Sequence, residues 1–247
     1  MTERLAPTDE ADAAGFVLAG GQSSRMGRDK ALLAFGGRPL IAHALATLRA
    51  AGLPAAIAGT DPTANSTLAT YAPIVPDSRP GLGPLAGICA ALEAASARFV
   101  VFLPTDVPLL PASLVAYLLH HARITGRAVT VPSVNGFNQT FPVVLERSAL
   151  PALQFELHSG KRGCFSAFQA AAKSLGQPIS GIAVEMLAQS GQVAHPLGLA
   201  PLLWFLNVNS PPDLQRAEAL WLPGCIDLYE RAATGPYRSL HPSHRVS

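Results

Sequence analysis

The chain has 247 residues, of which 49% are hydrophobic and 14% charged, and its formal net charge at pH 7 is +2. This composition favours one compact domain with a substantial core and excludes an intrinsically disordered chain. The small net charge argues against a nucleic-acid-binding or membrane-surface protein, so an anion would have to be bound by a local group of cations.

Sequence signals for export or membrane insertion are missing. No segment approaches the roughly 18 uninterrupted apolar residues of a transmembrane helix, and the N-terminal stretch carries acidic residues where a signal peptide would be apolar. The cysteines are Cys89, Cys164 and Cys225, odd in number and far apart, which favours reduced thiols over a disulfide framework. We therefore expect a cytoplasmic protein.

The first half of the chain alternates predicted strands and helices after a polar leader over residues 1–13. The pattern predicts a strand over Gly15–Ala19, a helix opened by Pro39, short strands over Ala55–Gly59 and Pro73–Val75, an alanine-rich helix over Leu85–Ala95, an unbroken apolar strand over Arg98–Leu103 and a helix from Pro111.

The second half continues the alternation. The pattern predicts strands over Ala128–Val131 and Phe141–Leu145, helices over Ala149–Leu157, Cys164–Leu175 and Gly181–Gln189, a last strand over Leu202–Asn209 and a helix capped by Ser210, with Pro211 in its first turn and Asp213 as a capping-box acid. The polar tail over residues 223–247 has no expected core role.

This alternation predicts an α/β fold of three layers, in which helices cover both faces of a mostly parallel central sheet. We expect the folded domain to span residues 14–222. Ligands of such sheets bind at the carboxyl ends of the strands, and the unusual residues of this chain fall at those ends.

A glycine-rich, basic stretch follows the first predicted strand. Gly20, Gly21 and Gly27 would let backbone amides approach an anion, and Arg25 and Lys30 would add positive charge where a polyphosphate sits. The stretch is neither a P-loop nor a GxGxxG fingerprint. A phosphate cradle is the functional interpretation, and a basic surface turn is the alternative.

A single carboxylate, Asp106, comes at the end of the strongest predicted strand, between Pro104 and Pro108. A rigidly held aspartate is a typical ligand for Mg²⁺, which takes one or two protein carboxylates together with phosphates and water. The alternative is that Asp106 forms an Asx turn or caps a helix.

Three further polar residues follow predicted strands. Asp77 precedes a Pro/Gly turn and a helix start, where it could accept hydrogen bonds from a nucleobase or a ribose, although a plain turn is the alternative. Asn207 and Asn209 lie two apart, which would place them on one face of a strand end, where carboxamides could read a polar heterocycle. One of them could equally cap a helix.

Other chemistry is disfavoured by the pattern. Lys161 and Arg162 could receive a second phosphate, but a solvated loop is the ordinary interpretation. No arrangement of Ser, His and Asp or of Cys and His suggests a covalent nucleophile, which argues against hydrolases and thiol enzymes.

Four of these stretches, taken in order, resemble the motifs of molybdenum cofactor guanylyltransferases: LAGGQSSRMGRDK, PDSRPGLGPLAG, LPTDVPLLP and NVNSPPDL. The resemblance spans roughly Gly15 to Leu220. It implies a fold of the nucleotide-diphospho-sugar transferase (Rossmann-like) type. It also implies transfer of GMP from GTP to molybdopterin carrying molybdenum, with release of pyrophosphate.

The resemblance also implies roles for particular residues. Asp106 would bind both nucleotide and Mg²⁺, and Asn207 and Asn209 would lie nearer the pterin. The residues implied at GTP are Leu18, Ala19, Gly20, Gly21, Lys30, Asp77 and Asp106. One position departs from the family, because Ala58–Asp61 stands where members often have an asparagine that holds guanine.

The expected chemistry is an in-line attack by a terminal phosphate oxygen of the pterin on the α-phosphorus of GTP. That phosphate is already ionised near neutral pH, its second pKa being about 6, so no strong general base is required. Arg25, Lys30 and Mg²⁺ on Asp106 would stabilise the charge. Alternatives are a CTP-dependent cytidylyltransferase, another NTP transferase, or a non-catalytic adaptor that hands the pterin to client enzymes. Contacts with cofactor-synthesis or client enzymes would be transient.

Overall fold

The computed structural model describes residues 12–19, 29–60, 67–77, 79 and 81–221. The strands in chain order are β1 (Ala13–Leu18), β2 (Ala34–Phe35), β3 (Arg38–Pro39), β4 (Ala55–Thr60), β5 (Ile74–Pro76), β6 (Phe99–Pro104), β7 (Val129–Val134), β8 (Phe137–Asn138), β9 (Val143–Glu146) and β10 (Ser180–Ala183). The helices are α1 (Leu40–Ala50), α2 (Pro84–Ala94), α3 (Ala112–Thr125), α4 (Leu150–His158), α5 (Cys164–Ser174), α6 (Val184–Gln189), α7 (Pro201–Trp204) and α8 (Pro211–Leu220).

Eight of the strands form one central sheet in the order β10-β7-β9-β6-β1-β4-β5, with β8 paired to β7. The neighbours β6, β1, β4 and β5 are all parallel, and β10 is parallel to β7. Strand β9 runs antiparallel between β6 and β7, and β8 is antiparallel to β7. The sheet is thus mostly parallel, as predicted.

Helices cover both faces of this sheet, which confirms the predicted three layers. One core cluster contains Leu45 of α1 and Leu118 of α3, and the other contains Ile88 of α2 and Phe168 of α5. Strand β6 separates them, because its alternate residues belong to opposite clusters. A strand buried on both faces needs apolar residues throughout, which explains the unbroken run that marked β6 in the sequence.

A third cluster packs α8 and the segment before it against the β2–β3 ribbon. Its buried members are Phe35, Leu40, Leu109, Val208, Ala217 and Trp221. The rings of Phe35 and Trp221 meet edge to face with centroids 5.0 Å apart, and the ring of His43 contacts both. The His43 imidazole also makes a 2.8 Å hydrogen bond through Nε2 to the carbonyl of Phe35.

Two predicted elements were wrong. The predicted helix over Gly181–Gln189 begins as strand β10, which pairs with β7, and is helical only from Val184. The predicted strand over Leu202–Asn209 begins as helix α7 and continues as an irregular segment. Pro201 occupies the first turn of α7, and the buried indole of Trp204 donates to the carbonyl of Leu199 at 2.7 Å.

Among the described residues, none of the helices combines the length and the apolar character needed to cross a bilayer. The predicted leader and tail lie largely outside the described residues, so the boundaries of the folded domain at residues 14 and 222 stay predictions.

Candidate active site

A cavity of about 800 Å³ lies at the carboxyl ends of β1 and β6. Leu18 is in register with Pro104 on the neighbouring strand, so the residues that leave the two strands emerge side by side. The lining residues are Leu18, Ala19, Asp29, Lys30, Ala31, Pro84, Pro104, Thr105, Asp106, Val107, Gln139, Thr140, Phe141, Phe205, Asn207 and Asn209. This is the edge at which parallel α/β sheets bind ligands.

The Lys30 ammonium and the Asp106 carboxylate meet in this cavity. Lys30 Nζ donates to Asp106 Oδ2 at 2.8 Å, and the two side chains are 17% and 24% exposed. Lys30 begins a 3-10 turn that Asp29 caps, since Asp29 Oδ1 accepts from the Ala31 N–H at 3.0 Å. Ala31 is buried, so the backbone that carries Lys30 is fixed to the core.

Only one of the two carboxylate oxygens of Asp106 accepts a hydrogen bond from the described residues. Its Oδ2 is engaged by Lys30, whereas its Oδ1 accepts no hydrogen bond within the described part of the chain. Helix α3 is capped by Pro111 and not by Asp106. The same part of the chain contains no group of three or more His, Cys, Asp or Glu side chains arranged around a common point. Among the described residues, a cation at Asp106 would therefore have at most two carboxylate ligands, which suits a metal that also binds phosphates and water.

Asn207 and Asn209 both line the cavity, but they lie on an irregular segment and not on the predicted strand. Val208 between them is buried in the third cluster, and its N–H donates to the carbonyl of Asp106 at 2.8 Å. The flanking asparagines are exposed and line the cavity. The carboxamide oxygen of Asn209 accepts from Lys30 Nζ at 2.5 Å. An ammonium has only donors, so the oxygen of the amide and not its nitrogen must face Lys30.

A further wall of the cavity was not predicted as part of the site. It consists of Gln139, Thr140 and Phe141 from the loop before β9, together with Phe205 after α7. The two rings are half-buried and present aromatic surface to the cavity, against which a flat heterocycle could stack. The sequence signal was the polar stretch Asn138–Thr140 between two apolar runs, which is also typical of an ordinary loop.

Asp77 is not among the residues that line the cavity. It directly follows β5, at the same edge of the sheet but beyond β4, and its Oδ1 accepts from the Arg79 N–H at 2.8 Å. This is the geometry of an Asx turn, whereas the sequence offered a nucleotide contact or a plain turn for Asp77. Pro84, at the start of α2, does line the cavity.

The other predicted residues are placed as follows. Leu18 and Ala19 line the cavity, whereas Gly20, Gly21 and Arg25 lie outside the described residues. Lys161, between α4 and α5, does not line the cavity, and its Nζ lies 2.8 Å from Oε2 of the buried Glu156.

Neither of the described cysteines is a nucleophile at neutral pH. Burial raises the pKa of the Cys89 thiol to about 12 and that of Cys164 to about 11. A thiol with such a pKa remains protonated and unreactive near pH 7.

Comparison with known proteins gives a consistent result. Residues 15–175 match the model of the MobA-like NTP transferase domain family. A molybdenum cofactor guanylyltransferase of Rhizobium meliloti (strain 1021) is 33% identical over 232 residues, which cover 88% of this chain and 95% of that protein.

Solved structures share the fold. Molybdopterin-guanine dinucleotide biosynthesis protein A from Archaeoglobus fulgidus superposes with a TM-score of 0.68 at 22% identity, covering 84% of this chain and 98% of that chain. Rv0371C from Mycobacterium tuberculosis, solved in complex with manganese, gives a TM-score of 0.60 at 17% identity, with 85% and 99% covered.

Proposed function

The chain belongs to the MobA-like NTP transferase family, and on this premise we propose that it is a molybdenum cofactor guanylyltransferase. It transfers GMP from GTP to the terminal phosphate of molybdopterin carrying molybdenum and releases pyrophosphate. The observation that carries the proposal is the Lys30–Asp106 pair, which faces a cavity of about 800 Å³ at the end of two parallel strands.

The chain's own contribution to this reaction is position and charge. The two substrates meet through phosphates that repel one another, so a cation between them lowers the energy of the approach. Lys30 supplies that cation on a fixed turn, and the backbone at Leu18 and Ala19 lines the same space. Arg25, Gly20 and Gly21 are proposed to complete the triphosphate site, and Asp77 to act at its nucleotide side.

Asp106 is proposed to hold Mg²⁺ through its unengaged Oδ1. When bound, the metal neutralises charge on the phosphate oxygens of GTP. The attacking phosphate is ionised near neutral pH, so the chain requires no general base, and none of the described histidines lines the cavity.

The pterin is proposed to occupy the side of the cavity formed by Asn207 and Asn209. Asn207 is exposed, and its described hydrogen bond is a 3.5 Å contact from Nδ2 to the carbonyl of Phe205, which a ligand can displace. Asn209 can still donate through Nδ2 while its oxygen faces Lys30. Cytoplasmic location and transient contact with client enzymes stay predictions.

The proposal is tested by measuring pyrophosphate release from GTP with purified protein. We expect release only when Mg²⁺ and molybdenum-loaded molybdopterin are both present. Asp106→Asn preserves the shape of the side chain but removes its charge, and we expect it to lower turnover about 100-fold or more. The matched control is Asp12→Asn. Asp12 is exposed, pairs with Arg123 of α3 and does not line the cavity.

Each other outcome contradicts the proposal in a distinct way. Faster release from CTP than from GTP would indicate a cytidylyltransferase. Tight binding of nucleotide and pterin without pyrophosphate from any nucleotide would indicate an adaptor. Normal turnover by Asp106→Asn would remove Asp106 from the mechanism.

A further inference from the structure

The two asparagines at the cavity differ in their contacts. Asn209 accepts a hydrogen bond from Lys30 Nζ through its Oδ1 at 2.5 Å. Asn207, two residues earlier, has no contact with Lys30 in the described part of the chain, and its side chain makes only the long contact to Phe205. Residues that look equivalent in the sequence therefore have different neighbours in the fold.

The backbone around Asn209 is fixed from the side of α8. The Asn209 N–H donates to Asp213 Oδ2 at 3.1 Å, and the same oxygen accepts from the Ser210 hydroxyl at 2.7 Å. Ser210 in turn caps α8 by accepting from the Asp213 N–H at 3.4 Å. These bonds lower the pKa of the Asp213 carboxyl, chiefly through the Ser210 hydroxyl and then through the Asn209 N–H. The capping box thus extends one residue upstream and holds Asn209.

The same segment is fixed from the side of the sheet. Val208 is fully buried in the third cluster, and its N–H donates to the carbonyl of Asp106 at 2.8 Å. Asp106 and Asn209 are therefore parts of one assembly, and the spacing of the two oxygens that accept from Lys30 is set by the protein and not by a ligand.

Two acceptors hold the Lys30 ammonium more firmly than one acceptor would. The lysine ammonium is on a flexible four-carbon stem with three donors, so a single partner would leave it free to swing. With Asp106 Oδ2 and Asn209 Oδ1 both engaged, its third donor has no partner among the described residues and can face the cavity. Asn209 is uncharged, so it holds the ammonium without adding repulsion toward a triphosphate. It also remains a partner for Lys30 when Asp106 is engaged by a metal.

We propose that Asn209 is a positioning residue for Lys30, and through it for the nucleotide triphosphate, with Asp213 holding Asn209 in place. The inference rests on one part of the proposed function, namely the binding of a nucleotide triphosphate beside Lys30. It separates Asn209 from Asn207, for which only a role at the pterin is proposed.

The test is a double-mutant cycle on nucleotide binding, measured by isothermal titration with Mg²⁺ and GTP and without molybdopterin. We expect Asn209→Ala to weaken GTP binding roughly tenfold, in the range of a hydrogen bond to a charged group. Asn207→Ala is expected to change it less than twofold and instead to raise the KM for molybdopterin in the transfer assay. Gln189→Ala, at the exposed end of α6, is the distant control.

The coupling in the cycle distinguishes positioning from a separate contact. If Asn209 acts through Lys30, the Lys30→Met, Asn209→Ala double variant binds GTP no more weakly than Lys30→Met alone. Asp213→Asn is expected to weaken binding less than Asn209→Ala, because it alters only the support of Asn209. Circular dichroism and thermal melting verify that each variant is folded.

Two results would overturn the inference: GTP binding by Asn209→Ala equal to that of the unchanged protein, or additive losses in the double variant. Should the unchanged protein prefer CTP, the guanylyl proposal fails, and the same cycle is run with CTP because the inference concerns the triphosphate. A protein that binds neither nucleotide overturns both proposals.

Discussion

At the scale of single residues, the described charged residues that line the cavity are Asp29, Lys30 and Asp106, and the last two pair with each other. Their ion pair is partly buried and joins residues 76 positions apart, so the fold, and not local sequence, brings them together. The sequence predicted both residues from their places beside strand ends. It could not predict the contact of Lys30 with Asn209, which spans 179 positions and depends on how α8 packs.

Removing the charge of Lys30 gives the first prediction at this scale. We expect Lys30→Met to weaken GTP binding and to lower the rate of pyrophosphate release about 100-fold, because no ammonium faces the transferring phosphate. Lys30→Arg keeps the charge but changes its geometry and should recover only part of the rate. The exposed Lys173 on α5 supplies the control, Lys173→Met, which should behave as the unchanged enzyme. A rate of pyrophosphate release by Lys30→Met within threefold of the rate of the unchanged enzyme would show that Lys30 is not part of the mechanism.

At the scale of elements, the close packing of α2 on β4 depends on one glycine. A Cβ at Gly87 would lie 2.7 Å from the Cα of Gly59 and 3.0 Å from its N, so two backbones meet where no side chain fits. Gly87 is therefore required by packing, in contrast to Gly15, where the three atoms nearest to an added Cβ all belong to the side chain of Leu48.

Gly87→Ala tests this contact. In an ordinary helix the change stabilises by about 1 kcal/mol, because alanine has the higher helix propensity. Here we expect a loss of about 1–3 kcal/mol in the free energy of unfolding, because α2 must move away from β4. Urea unfolding measures the difference, with Gly15→Ala as the milder comparison. Stabilisation by Gly87→Ala would contradict the close approach of the two elements.

The elements also show what a sequence pattern can predict. The unbroken apolar run of β6 and the helical spacing of α1 to α3 predicted the start of each element to within one residue. The apolar run before Asn207 is as compatible with a short helix as with a strand, and the choice is made by Trp204 packing into the core. The antiparallel direction of β9 follows from pairings with β6 and β7 that leave no local signal.

At the scale of the whole molecule, the family model covers only part of the residues that line the cavity. The family match over residues 15–175 includes Lys30 and Asp106 but ends before Asn207 and Asn209. The family model thus covers the side of the cavity proposed for the nucleotide and does not reach the segment proposed for the pterin.

Stability should depend on pH through two buried histidines. Burial lowers the pKa of His43 and of His195 below the ordinary value of 6.5, although a backbone carbonyl opposes the shift in each case. Below pH 6.5 the unfolded chain therefore binds more protons than the folded chain, and the free energy of unfolding falls as the pH drops. Urea unfolding at pH 7.5 and pH 5.5 measures this fall.

The variants for this measurement are His43→Gln and, as the control, Gln189→Ala. His43 is buried between Phe35 and Trp221, so its replacement should reduce the pH dependence as well as the stability itself. Gln189 is exposed at the end of α6 and does not titrate, so its replacement should preserve the slope. A free energy of unfolding that is equal at the two pH values would contradict the assignment.

The hydrogen bond from Val208 to Asp106 joins two segments that are synthesised at different times. A ribosome delivers Lys30 and Asp106 long before it delivers Asn209 and α8. Until Asn209 is synthesised, Asp106 is the only one of the two acceptors that can pair with Lys30. If Asn209 positions Lys30 as proposed, the lysine reaches its final geometry only after α8 has been synthesised.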